Sequence, residues 1–259
     1  MVLCPGGRSA ERKLYSMIYR KGLLSLLLAL CLVLSLAAPA LAAAEKKPEP
    51  DRDLTPLPEE WFDDTLFIGD SITYVLMQYC DAEERLGGIQ IWSEQSLNVY
   101  TMSQNTFRFW YRGEAYSLPD LVKVSGAKRV IFCLGINDIV QEGGVERTME
   151  LWPKIFDAIK KENPDVQLML QSCFPMWKVS VVYDLSNDVI NEYNDQMRAF
   201  CAENGHTFVD IADAFRARDG SLKEKYSSDN YVHLSSEAAE LWVEELRNPA
   251  NYSVDPRSL

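Results

Sequence analysis

LFIGDSITYV, Leu66 to Val75, is the stretch whose reading decides the fold. An apolar run ends at Gly69. An acid and a hydroxyl follow, and then residues that can start a helix. Two readings compete. Asp and Ser are good helix caps, because their side chains satisfy the orphan N–H groups of a first turn. Alternatively, Ser71 is a nucleophile displayed where a strand gives way to a helix. The tripeptide Gly-Asp-Ser alone does not choose between them.

The surroundings of this stretch bound the answer. Arg20 and Lys21 precede GLLSLLLALCLVLSLAAPALAAA, Gly22 to Ala44. A basic start, an apolar run and Ala40-Leu41-Ala42 as an A-x-A site predict a signal peptide over residues 1–42. Met17 offers an alternative start that gives a leader of ordinary length. An uncleaved anchor is the competing reading, since the run is long enough to span a bilayer. Leu30 before Cys31 argues against lipid attachment. Residues 43–60 are Pro-rich and charged and are expected to be an exposed linker. The domain proper is expected over residues 61–259, a length suited to one core.

The chain of 259 residues has a formal net charge of −12. The leader holds five basic residues and one acidic one, so the remainder is near −16. Such a surface repels nucleic acid and anionic lipid. The expected partner is a small-molecule or carbohydrate substrate, with no nucleic acid and no membrane once the leader is removed. Beyond the leader the chain carries Cys80, Cys133, Cys173 and Cys201. Export permits disulfides, but Cys133 and Cys173 sit inside apolar runs, where Cys behaves as a small buried hydrophobe. There is no C-x-x-C spacing, which argues against a metal site.

Working outward from LFIGD, strand-like and helix-like segments alternate. Thr65–Gly69, Arg129–Leu134, Val166–Cys173 and Thr207–Ile211 are predicted strands, with Ile89–Trp92 a weaker one. Helices are predicted over Val145–Glu162, Val189–Asn204 and Ser235–Arg247, closed by Asn163-Pro164, Gly205 and Pro249. This alternation predicts an α/β fold, a mostly parallel sheet with helices on both faces. In such sheets sites form at the carboxyl ends of strands, which is where Ser71, Asn137 and Asp138 fall. Ser93–Asp120 is aromatic and weakly periodic and receives no assignment.

A hydroxyl nucleophile needs a base, and histidine is the usual one near neutral pH. The chain has two histidines. His206 precedes a predicted strand, at the wrong edge of the sheet. His233 lies in SSDNYVHLSSEAAELW, a polar loop entering the last predicted helix, and is the better base. In LGIND, Leu134 to Asp138, the Asn137 amide follows a strand end and can donate to an oxyanion beside Ser71 if the strands are neighbours. An Asx-turn is the bland alternative.

Together and in this order, these features resemble the SGNH, or GDSL-type, hydrolases. Gly69-Asp70-Ser71 matches the nucleophile block. Gly135-Ile136-Asn137-Asp138 matches the G-x-N-D block, and His233 occupies the place of the base. The resemblance implies a three-layer, flavodoxin-like α/β fold and a bacterial serine esterase, which the predicted signal peptide makes a secreted one. No metal or cofactor is implied. It assigns Ser71 as nucleophile, and the Ser71 and Ser96 N–H groups with Asn137 as the oxyanion hole. Two departures stand out. Ser96 occupies the place of a glycine. Asn230, not an aspartate, stands three residues before His233. A one-residue bulge brings Asp229 to the imidazole, and this is the preferred reading, with Asn230 the alternative orienting residue. An amide there would fix the ring without offsetting imidazolium charge.

The resemblance, with export and acidity, leads to short acyl esters, acetyl above all, with carbohydrate as the expected carrier. The segment NTFRFWYRGEAY, Asn105 to Tyr116, offers rings that could stack on sugars or simply pack. A rival of another class is an exported binding module that kept the fold and lost the chemistry. The Asn230 register is the feature that favours it.

Overall fold

The computed structural model describes residues 52–104, 106–178 and 185–259. The predicted leader and residues 43–51 lie outside the described residues. Five strands form one parallel sheet: β1 Thr65–Gly69, β2 Gln90–Ser93, β5 Arg129–Cys133, β6 Gln167–Gln171 and β7 Thr207–Val209. They run in the spatial order β2-β1-β5-β6-β7. Strands β3 Phe109–Tyr111 and β4 Glu114–Tyr116 form a separate antiparallel hairpin. With the hairpin set aside, this is the flavodoxin-like order, whose direction reverses between β1 and β5.

The central strands are apolar because both of their faces are covered. All five residues of β1 and all five of β5 are buried. Successive side chains point to opposite faces, and the aromatic contacts show both. Phe67 meets Trp242 edge-on at 5.9 Å, and Phe132 on the neighbouring strand meets Trp152 at 5.5 Å. Trp242 belongs to α9, Ser236–Arg247, which packs with α1, Thr73–Glu83. Trp152 belongs to α6, Trp152–Glu162, which packs with α3, Leu118–Ser125. The expected three-layer α/β architecture is therefore present.

Helix α7 spans Asn187–Asn204, capped by Ser186 and closed by Gly205 in the left-handed conformation. The predicted single helix Val145–Glu162 is two, α5 Gly144–Met149 and α6. Pro153 has no N–H to continue the ladder, and proline is tolerated only in a first turn. The unassigned region holds α2, Val99–Ser103, and the hairpin. Its turn residues Arg112 and Gly113 both have positive φ, 52° and 87°, as a two-residue type I′ turn requires. Short helices α4, Ile136–Ile139, and α8, Ala212–Phe215, follow β5 and β7. Among the described residues no helix is long and apolar enough to cross a membrane.

The expected linker enters the domain earlier than residue 61. The compact unit begins at Asp53. Leu57 is fully buried, and its N–H and C=O both bond Arg247, at 2.7 and 2.9 Å. Glu59 pairs with Arg85 and Arg247. One apolar side chain among prolines and acids leaves no periodic signal, so composition misplaced the boundary. Leu57→Ala should destabilise the domain by about 2–4 kcal/mol in urea unfolding. A change below about 0.5 kcal/mol, the level of ordinary surface substitutions, would mean that the segment is linker after all.

Candidate active site

Of the two readings of Gly-Asp-Ser, the display of Ser71 is realised and helix capping is not: the N-cap of α1 is Ile72, with no side-chain cap. Asp70 instead closes the turn ahead of the helix, its Oδ1 accepting from the Ile72 N–H at 3.0 Å and its backbone C=O from the Thr73 N–H. Ser71 is left free of that duty, and its Oγ lies 3.0 Å from His233 Nε2. Gly69 is required by close approach, since a Cβ there would fall 1.8 Å from Thr73 Oγ1. The helix can start directly off the strand only because that atom is missing.

His233 is held by the turn before it. Residues 227–234 double back, with Ser227 and Leu234 forming an antiparallel bridge. Asn230 has φ of 58°, and its N–H bonds Ser227 Oγ at 2.9 Å. Asn is one of the few residues that adopt the left-handed region readily. This kink supplies the one-residue shift. Asp229 Oδ2 reaches His233 Nδ1 at 2.6 Å, while Oδ1 accepts from the Tyr231 and His233 N–H groups at 2.8 and 3.2 Å. Asn230 takes no place on the ring. Asp229, His233 and Ser71 thus form a continuous chain of contacts.

Asn137 stands on the first turn of α4. Gly135 precedes it with φ of 129°, and a Cβ there would lie 2.2 Å from the Tyr193 ring. The Asn137 Nδ2 donates to Asp70 Oδ2 at 3.2 Å and to the Leu97 C=O at 3.0 Å. Both hydrogens are engaged in the free protein, so an oxyanion must share or displace one of these bonds. Ser96 has φ of 60°, the conformation that makes glycine the easier residue there. Among the described residues the Ser71 and Ser96 N–H groups have no acceptor. Ser71, Ser96, Asn137 and His233 line one cavity of about 540 Å³.

His206 lies apart, edge-on to Phe156 at 4.6 Å, and burial lowers its pKa. The four described cysteines are buried free thiols. Asp138 received no role from the sequence. Its carboxylate accepts from the Val99 and Tyr100 N–H groups at 2.9 and 3.0 Å, fixing the start of α2. Nothing in the sequence pairs Asp138 with a helix some forty residues earlier, so only the fold reveals it.

The model of the GDSL-like lipase/acylhydrolase family matches residues 67–241. The chain belongs to this family. It is a carboxylic ester hydrolase with the SGNH fold. No curated protein matches its sequence significantly. Among solved structures, a Streptococcus pneumoniae protein provisionally described as a platelet activating factor has a TM-score of 0.57 at 21% identity, covering 71% of this chain and 81% of that one. A GDSL-like lipase from Bacteroides thetaiotaomicron has a TM-score of 0.56 at 15% identity, covering 75% and 89%. An acetyl xylan esterase has a TM-score of 0.51 at 14% identity, covering 70% and 96%. At these identities the likeness is one of fold.

Two buried carboxyls of this esterase carry a pH signature. Burial raises Asp70 to about 7, against the opposing Ile72 N–H, and raises Asp138 to about 6, against those of Val99 and Tyr100. Each group holds its proton more tightly folded than unfolded. Their contribution is therefore full below the unfolded value of 3.8 and is lost as pH rises through the folded one. Asp70→Asn removes one such titration. Its stability relative to wild type should improve by up to about 1.4 kcal/mol per pH unit from roughly pH 4 to 7. Urea unfolding across that window measures this, and a pH-independent difference contradicts it.

Proposed function

We propose that the enzyme is a secreted serine esterase that removes short acyl groups, acetyl above all, from carbohydrate. The observation that carries the catalytic part is the contact chain of 3.0 Å from Ser71 Oγ to His233 Nε2 and 2.6 Å from His233 Nδ1 to Asp229 Oδ2. Ser71 Oγ attacks the ester carbonyl as Nε2 takes its proton. The oxyanion is held by the Ser71 and Ser96 N–H groups, which are open to receive it, and by Asn137 Nδ2, which shares or gives up its bond to Asp70 or to the Leu97 C=O. The intermediate collapses, and His233 returns the proton to the leaving alkoxide. Water then attacks the acyl-enzyme, with His233 again as base, and releases the acid. Asp229 keeps the imidazole in the required tautomer and offsets its charge.

The short acyl group is supported by the cavity, where Gln95, Asn98 and Gln141 stand beside Ile136 and Val140 rather than an apolar tunnel. The aromatic segment divides: Phe107 and Phe109 pack together, and Trp110 is 67% exposed on the hairpin. Export is supported by the apolar run and its A-x-A site, and N-terminal sequencing of exported protein should find a start near Ala43. The rival binding module drew on the Asn230 register, and the Asp229–His233 contact accounts for that register without loss of a carboxylate.

Hydrolysis of p-nitrophenyl acetate tests the mechanism. Ser71→Ala should lower kcat by at least about 10³-fold with little change in Tm. Asp229→Asn should cost on the order of 10³–10⁴. Asn230→Gly, which accepts the left-handed conformation, should stay close to wild type. Full activity in the Ser71 variant would sink the esterase mechanism. A silent Asp229→Asn with a damaging Asn230→Gly would move the orienting role.

A further inference from the structure

A second cavity of about 520 Å³ adjoins the catalytic one, and Asn98, Asn137 and Gln141 line both. Nothing in the mechanism uses it. Its walls include Tyr100 and Arg147. Tyr100 is 47% exposed, a large ring left open beside a catalytic cavity. Arg147 Cζ lies 5.3 Å from the centre of that ring. The pair is built rather than incidental. Asp138, next to the oxyanion donor, holds Tyr100 through its backbone N–H. The stem of Arg147 lies over Gly143, where a Cβ would come within 2.8 Å of Arg147 Cβ.

The charge of Arg147 is the informative part. Among the described residues Arg85, Arg198, Arg216, Arg247 and Arg257 pair with carboxylates, while Arg112, Arg129 and Arg218 do not, so it is the place of Arg147 on the groove wall that matters. Arg147 has no carboxylate partner among the described residues, and its guanidinium donates only to the Glu142 C=O, at 3.4 Å. Glu142 lines the same groove, yet among the described residues no carboxylate is ion-paired with Arg147, which leaves its fork open to a ligand beside the catalytic cavity. A guanidinium offers a planar fork that fits a carboxylate, and an open phenol ring suits the apolar face of a sugar.

We infer that this groove is a subsite for a carboxylated sugar ring, so that the preferred substrates are acyl esters of uronic-acid-type carbohydrates rather than of neutral ones. The inference deepens the proposed function and rests on it. An acetyl group is too small to fill both cavities, so the ring in the groove belongs to the alcohol part. Tyr100 stacks against that ring, and Arg147 binds its carboxylate. These contacts are equally available in ground and transition state, so they act on KM more than on kcat.

Two measurements test it. The first compares kcat/KM for mono-acetylated methyl glucuronide and mono-acetylated methyl glucoside, by acetate release. Wild type should favour the glucuronide by roughly three- to tenfold, through KM, and the preference should shrink with added salt. Arg147→Met keeps the stem and removes the charge, and should bring the ratio to about one. The second needs no turnover: Ser71→Ala protein should bind methyl glucuronide more tightly than methyl glucoside in calorimetry. Equal handling of the two sugars in both measurements overturns the subsite, as does a preference that survives Arg147→Met. Absence of ester hydrolysis with the binding preference intact would count against the proposed function and leave the subsite standing.

Discussion

The site depends on the parallel pairing of β1 with β5, in a register that sets Gly69 opposite Cys133. The two strands end side by side at the point where strand order reverses, and there the chain departs in different directions and leaves a crevice. Ser71 follows one strand end, and Asn137 follows the other. The Asn137 amide crosses the gap to the Asp70 carboxylate and the Leu97 carbonyl. A slip of one residue would turn Phe67 and Phe132 to the wrong faces of a sheet buried on both sides, so the register is strongly held. Close packing at Gly69 and Gly135 then brings α1 and Tyr193 against the strand ends without a Cβ in the way.

Three acids near the site do different work because they sit in different environments. Asp70 is deeply buried and turned inward, where it closes the turn ahead of α1 and holds Asn137. Its raised pKa limits the negative charge that it places beside a developing oxyanion. Asp138 is also buried and anchors α2, hence Tyr100, to the loop after β5. Asp229 is partly exposed, belongs to a loop and faces the imidazole. A charge is wanted only at the third position, where imidazolium forms during turnover.

Much of this was legible in the sequence, for identifiable reasons. The buried strands are short apolar runs ended by turn residues, and β1 was placed to the residue. Helix α7 announces its end through Gly205 and α9 its start through Ser235, whereas the cap of α7, Ser186, was passed over and the helix begins two residues before the expected Val189. The ordered blocks around Ser71, Asn137 and His233 located the crevice. The missed parts lack local signals or hide them. Pro153 inside an amphipathic pattern broke a helix that periodicity joined. Arg112-Gly113 was a hairpin turn masked by surrounding aromatics. Leu57 was one core residue in a charged stretch. The Asp138–Tyr100 and Asn137–Asp70 contacts join distant segments, and no spacing rule reports them. At Asn230 the register conflicted with the family pattern, and the conflict is resolved by backbone conformation, since a left-handed residue moves Asp229 into place.

The central claim is that Ser71 carries the acyl group during turnover. Rapid acid quench during p-nitrophenyl acetate hydrolysis, followed by intact-mass and peptide mass spectrometry, tests it without any variant. The account predicts one acetyl adduct per chain, on Ser71, formed within the first turnover and lost at the rate of deacylation. Turnover with no adduct on Ser71, or with the acetyl group on another residue, would contradict it.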